Sequence, residues 1–137
     1  MDVRVGTVLP PFVRTTDLDN WNRYAAVNDE FVTIHQDDEK SRLSGLPGAI
    51  GMGNLQIAYL HNLLREWVGQ SGRILRLRCQ HRGYNLKGDT LTARGRVTAV
   101  RDSSAGQEVD VEIWVENQAG TVLTPGAATV LLDTLNA

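Results

Sequence analysis

The stretch NDEFVTIHQDD, residues 28–38, sets two acids, Asp29 and Glu30, and one histidine, His35, among the apolar Phe31, Val32 and Ile34. Charged groups lose hydration when drawn against apolar surroundings, and their proton affinities move accordingly. Such a cluster is either an ordinary exposed loop or a place where protons change hands. A second stretch, GLPGAIGMG at 45–53, carries four glycines in nine positions and runs straight into a helix. Glycines let a backbone approach other groups closely, and a helix start presents unpaired N–H groups and the positive end of a dipole. An acid, a histidine and a set of N–H donors together suit proton transfer beside a carbonyl whose oxygen becomes negative.

Other chemistries fit these residues less well. Gly51-Met52-Gly53 is not the dinucleotide fingerprint, because position 56 is Gln and no parallel strand–helix–strand unit surrounds it. There is no phosphate-binding lysine loop and no nucleophile elbow. His35, Asp37 and Asp38 could supply metal ligands, but no second histidine stands at helical spacing from them. Cys79 falls on the apolar side of an alternating strand and reads as core rather than nucleophile. As the only cysteine it excludes an internal disulfide and fits a reducing compartment. His61 on a long helix and His81 on a basic strand read as structural or surface residues.

The elements that must position this chemistry follow from periodicity. An extended arm or short strand is expected around Val3 to Leu9, ended by Pro10-Pro11. Thr16-Asp17 reads as a helix start, followed by Leu18, Trp21, Tyr24 and Ala25 at helical spacing. Asp37, Asp38 and Glu39 place negative charge at the start of a short second helix, which Gly45 should end. A long helix is expected from about Asn54 to Val68, with Ile57, Leu60, Leu64, Trp67 and Val68 as its apolar stripe. Beyond it the period changes to two. Leu75, Leu77 and Cys79, then Leu91 to Ala99, then Val109, Val111, Ile113 and Val115 alternate with charged residues. A last strand spans roughly Thr121 to Leu132, with a bend or edge at Pro125. The result is an antiparallel sheet with one apolar face, against which the 54–68 helix packs.

With 137 residues, and neither repeat nor linker, residues 1–137 read as a single domain. Fourteen basic and 16 acidic side chains leave a net charge of −2, which offers nucleic acid or anionic membrane no general attraction. The outward arginines of 73–82 and of 94 and 96 precede an outward acidic strand, so cross-strand ion pairs are expected to absorb much of their charge. No apolar run is of signal-peptide or bilayer-spanning type, and the reading is cytoplasmic and soluble.

The arrangement resembles the MaoC-like hydratases and dehydratases of the hot-dog fold. Their signature runs Tyr-Ala, a few residues, Asp-x-Asn-Pro-x-His-x-Asp, then a glycine-rich segment before a central helix. Tyr24-Ala25, the span Glu30 to Asp37 and Ala49-Ile50-Gly51-Met52-Gly53 match in spacing. Gly88-Asp89-Thr90-Leu91 is similar to the family's Gly-Asp-Thr-Leu turn. Glu30 stands for the family's aspartate, with Asp29 one residue out of register. Val32-Thr33 replaces Asn-Pro, and Met52 replaces the histidine before the helix glycine.

The resemblance implies an α+β fold, a single hot-dog domain whose antiparallel sheet wraps a long central helix. It implies reversible hydration of a 2-enoyl thioester, with Glu30 and His35 as the acid–base pair and the Gly53 N–H as the oxyanion donor. No metal or redox cofactor is expected; coenzyme A or an acyl carrier protein would enter with the substrate. Hot-dog sheets join edge to edge, so a homodimer or a heteromer with a related subunit is expected. A partner subunit of a heteromeric hydratase, a hot-dog thioesterase and a non-catalytic acyl-thioester binding module are the other readings.

Overall fold

The computed structural model describes residues 2–28 and 33–133. Its strands are β1 (Phe12–Thr15), β2 (Gly72–Cys79), β3 (Thr90–Ser103), β4 (Gly106–Glu116) and β5 (Val122–Leu132). They form one antiparallel sheet in the order β1-β3-β4-β5-β2. Three helices accompany it, α1 (Leu18–Asn28), α2 (Asp38–Leu43) and α3 (Gly53–Val68), with single tight turns at Thr33–His35 and Gly69–Ser71.

Alternation explains the sheet. Leu91, Ala93 and Val97 of β3 and Val109, Val111, Ile113 and Val115 of β4 are all buried, and they share one core with Leu60, Leu63, Leu64 and Val68 of α3. The opposite face of the same two strands is charged. Arg94 meets Glu116 at 2.8 Å, Arg96 meets Glu112 at 2.9 Å and Arg101 meets Asp110 at 2.7 Å. These exposed pairs contribute little individually, about 0.2–1 kcal/mol each, but they favour the observed register. The expected charge pairing therefore holds between β3 and β4. It does not extend to β2, which lies across the sheet beside β5; none of the ion pairs among the described residues uses Arg73, Arg76, Arg78 or Arg82.

The extended arm expected before Pro10-Pro11 is present, and the first regular strand, β1, follows the pair. Residues 3–9 run as an arm along β3, tied through Gly6 N to Val97 O, Val97 N to Thr7 O and Leu9 N to Gly95 O, with Val3 and Leu9 buried. The buried face of α3 is Gln56, Tyr59, Leu60, Leu63, Leu64 and Val68, so the helix is rotated from the expected stripe and Ile57 is only half-buried. In β2 the register slips between Ile74 and Arg76, which leaves Leu75 bulged out and 42% exposed. Ile74, Leu77 and Cys79 are the β2 residues packed on the core. Burial raises the pKa of the Cys79 thiol, in keeping with a packing role. Pro125 belongs to an interior strand but sits past the end of the β2 ladder, where only its carbonyl is used, by Gln80 N at 3.0 Å.

Asp110 supplies a test of the charged face. The Arg101 guanidinium and the Thr129 hydroxyl hold its carboxyl down from 3.8 to about 2. A depressed carboxylate stabilises the fold above its unfolded pKa, and that contribution fades as pH falls through the folded value. Thermal unfolding of Asp110→Asn should be lower than wild type at neutral pH, and the gap should close between pH 3.8 and about 2. A gap independent of pH would show that the ion pair is not the cause.

Candidate active site

The site is built around a short extended segment, residues 48–51, whose polar backbone atoms are held from both sides. Ser41 Oγ of α2 donates to the Gly48 carbonyl, and Asp38 accepts the Ala49 N–H at 2.8 Å. Ile50 N donates to the Ile34 carbonyl at 2.9 Å, and the Ile50 carbonyl accepts from His35 Nδ1 at 2.8 Å. Gly51 N donates to the Asn85 carbonyl at 2.8 Å, beside a bridge between Ile50 and Leu86. A segment with so many committed groups has little freedom to shift.

The acids after the questioned loop do what their helix position suggests. Asp37 caps α2 by accepting Lys40 N at 2.9 Å. Asp38 reaches outward to Lys87 as well as to Ala49 N, and both bonds lower its pKa. Asp38 thus ties α2, the glycine segment and the Gly88-Asp89 turn together. That turn is in turn fastened to the start of α1, through Gly88 N to Thr16 O at 2.6 Å and Thr16 N to Asp89 O at 2.9 Å. From the other side Trp21 and Ala25 of α1, both fully buried, pack with Ala49 and Met52. The Tyr24-Ala25 pair of the motif packs here, Ala25 within the cluster and Tyr24 partly buried against it.

His35 is half-buried at the end of its tight turn. A carbonyl accepts only, so the ring must donate through Nδ1 to Ile50, and the neutral imidazole carries its free lone pair on Nε2. Three residues further on, α3 begins at Gly53. Met52 gives it no side-chain cap, and no acceptor for the Gly53 N–H lies among the described residues. A basic imidazole nitrogen and an open N–H donor are thus fixed to the two ends of one four-residue stretch, Ile50 to Gly53.

Glu30 and Asp29 lie outside the described residues. His61 stands half-exposed on α3, about 12 Å along the helix from Gly53 at 1.5 Å per residue, and is not part of this arrangement. His81, read from sequence as structural or surface, is brought to the site. A methyl group placed on Gly53 would stand 2.9 Å from His81 Nε2. No local signal in the sequence marks His81, which is tied to the interior through Thr124, Gln56 and Asn85. Among the described residues no group of three His, Cys, Asp or Glu side chains is placed to hold a metal ion. No helix among them is long and apolar enough to cross a membrane.

The MaoC-like domain family matches residues 7–121. The chain belongs to the MaoC-like family. No curated protein matches the sequence. Among solved structures, the MaoC-like chain superposes on an (R)-hydratase from A. caviae involved in PHA biosynthesis with a TM-score of 0.86 and 21% identity, covering 95% of this chain and 97% of that one. The R-hydratase PhaJ1 from Pseudomonas aeruginosa gives 0.85 at 19% identity, covering 96% and 83%. A chain of the ChsH1-ChsH2 complex from Mycobacterium tuberculosis gives 0.83 at 23% identity, covering 96% and 99%. At these identities the likeness establishes the hot-dog fold, an antiparallel sheet wrapped around a long central helix.

Two glycines of the segment are required by what they touch. A methyl on Gly51 would stand 2.1 Å from Asn85 Oδ1, and Asn85 is buried and bonded in place. Gly51→Ala should therefore destabilise the fold by about 1–3 kcal/mol in chemical denaturation. Gly53→Ala meets the exposed His81 ring, held by a single 3.2 Å bond to Thr124 that a small shift would give up, and should cost less. An equal cost at both positions would contradict this geometry.

Proposed function

We propose that this protein catalyses the reversible addition of water across the double bond of a 2-enoyl thioester, giving the 3-hydroxyacyl thioester. The observation that carries the proposal is the Ile50–Gly53 stretch, with His35 bonded at one end and, at the other, a Gly53 N–H that has no acceptor among the described residues. Membership of the MaoC-like family supports it.

In the hydration direction the oxygen of a water molecule bonds to the β-carbon. One water proton passes to the Glu30–His35 pair, Glu30 being assigned by its place in the motif. The π electrons of the double bond move toward the thioester oxygen, which the Gly53 N–H holds with the help of the α3 dipole. The resulting enolate re-forms the carbonyl as the α-carbon takes a proton returned by the pair. Dehydration is the reverse. Atoms and charge balance without a metal or redox cofactor, and coenzyme A or an acyl carrier protein enters as part of the substrate. The family relation implies R-stereochemistry at the hydroxyl.

A second chain is expected to join along β2. That edge strand is eight residues long, against four for β1, and it carries the exposed Leu75. An unpaired strand edge with apolar side chains favours pairing with another edge. The partner is either a second copy or a related hot-dog subunit. Glu30 and Met52, in place of the family's aspartate and histidine, favour the related subunit as the second reading, and the likeness to a chain of the ChsH1-ChsH2 complex supports it.

The test follows loss of the conjugated-thioester absorbance on a panel of 2-enoyl-CoA substrates, with a thiol probe alongside. Loss of conjugation without thiol release is expected, and His35→Ala should lower kcat by about 10²–10⁴. Glu30→Ala should do the same; activity that survives it but not Asp29→Ala would move the acid by one residue. Thiol release would indicate a thioesterase. No turnover by the folded protein alone, regained with a related subunit, would favour the heteromer.

A further inference from the structure

Among the buried polar side chains beside the site, four that are each 1% exposed or less are linked to one another: Thr16, Gln56, Asn85 and Thr124. They form one directed series of hydrogen bonds. The Thr16 hydroxyl donates to the Asp89 carbonyl at 3.2 Å, and its oxygen accepts from Asn85 Nδ2 at 2.8 Å. Asn85 Oδ1 accepts from Gln56 Nε2 at 3.2 Å, and Gln56 Oε1 accepts the Thr124 hydroxyl. Thr124 Oγ1 then faces His81 Nδ1 at 3.2 Å.

Direction is what this series transmits. The Asp89 carbonyl has no proton to give, so each link is forced in turn, and the Thr124 proton is committed to Gln56. His81 must therefore donate through Nδ1, which leaves the lone pair of the neutral ring on Nε2. A fully satisfied buried network gives such specificity, whereas apolar residues would fill the same volume without a desolvation cost. His81 itself is exposed, and Nε2 is its atom nearest the Gly53 position.

A lone pair beside the start of α3 would repel the thioester oxygen, so its natural partner is a donor next to that oxygen. Thioesters of coenzyme A and of acyl carrier proteins supply one, the amide N–H that lies an ethylene link from the sulfur. We infer that His81 binds the substrate's pantetheine arm, with Nε2 accepting that first amide N–H, and that Thr124, Gln56, Asn85 and Thr16 position the ring. The inference rests on the hydratase reading and deepens it, since it makes the site selective for pantetheine-type thioesters.

The experiment compares one 2-enoyl group carried on N-acetylcysteamine, which has the amide, with the same group as an S-butyl thioester, which lacks it. The ratio of the two kcat/KM values should fall about tenfold in His81→Phe and by about two- to fivefold in Thr124→Val, mainly through KM of the amide-bearing substrate. Thr124→Ser keeps the hydroxyl and should restore the ratio. Imidazole ¹⁵N shifts should show the Nδ1–H form of His81 in the wild type and in Thr124→Ser, and a mixture in Thr124→Val. A ratio preserved in His81→Phe, or an Nε2–H ring in the wild type, would overturn the inference. Wild-type protein that hydrates neither thioester, alone or with a related subunit, would instead overturn the hydratase reading, and this inference with it.

Discussion

The Ile50 peptide is the point on which the arrangement of this protein turns. Its N–H is fastened to the backbone of Ile34, and its carbonyl takes the His35 ring. A histidine carried on a short turn has several accessible rotamers and two tautomers, and a carbonyl at 2.8 Å removes that freedom. The same peptide lies three residues before the start of α3, so the imidazole and the helix terminus are placed relative to one another through one short, well-anchored stretch. If that stretch moved, both groups would move with it.

The remainder of the fold holds the stretch still. The sheet presses α3 from below through the alternating faces of β3 and β4, while Trp21 and Ala25 close over Ala49 and Met52. Asp38 joins α2 to the stretch and to Lys87 near the Gly88-Asp89 turn. Asp89 in turn accepts at its carbonyl from Thr16, at the head of α1. Elements far apart in sequence therefore meet within a few residues of the site. The four buried polar residues follow the same logic: they join the start of α1, α3, the approach to β3 and the β5 strand, and end on a single ring.

Much of the scaffold could be read from residue pattern because its stabilisation is periodic. Val109, Val111, Ile113 and Val115 alternate with charges and form the inner face of β4, and Asp17 caps α1 where the apolar spacing begins. Where the period misled, a tertiary requirement had intervened. Ile57 fits the apolar period of α3, yet it is only half-buried, while the polar Gln56 is buried by its bonds to Asn85 and Thr124. Leu75 fits a strict alternation, but the bulge that skips it is visible only in the pairing with β5. Pro10-Pro11 marks a real break in hydrogen bonding, with the extended arm before it and the regular ladder after it.

At the site, His35 and Gly53 could be singled out by residue type and spacing, since a histidine in a loop and a glycine at a helix start are local signals. His81 could not, because it reaches the site through Thr124, Gln56, Asn85 and Thr16, positions scattered over most of the sequence. The most direct measurement is a crystal structure with a 3-hydroxyacyl thioester bound. The account predicts the thioester oxygen on the Gly53 N–H and the β-hydroxyl against His35 Nε2. A thioester lodged elsewhere, for instance in the depression between Arg76 and Thr129 on the outer face of the sheet, would contradict it.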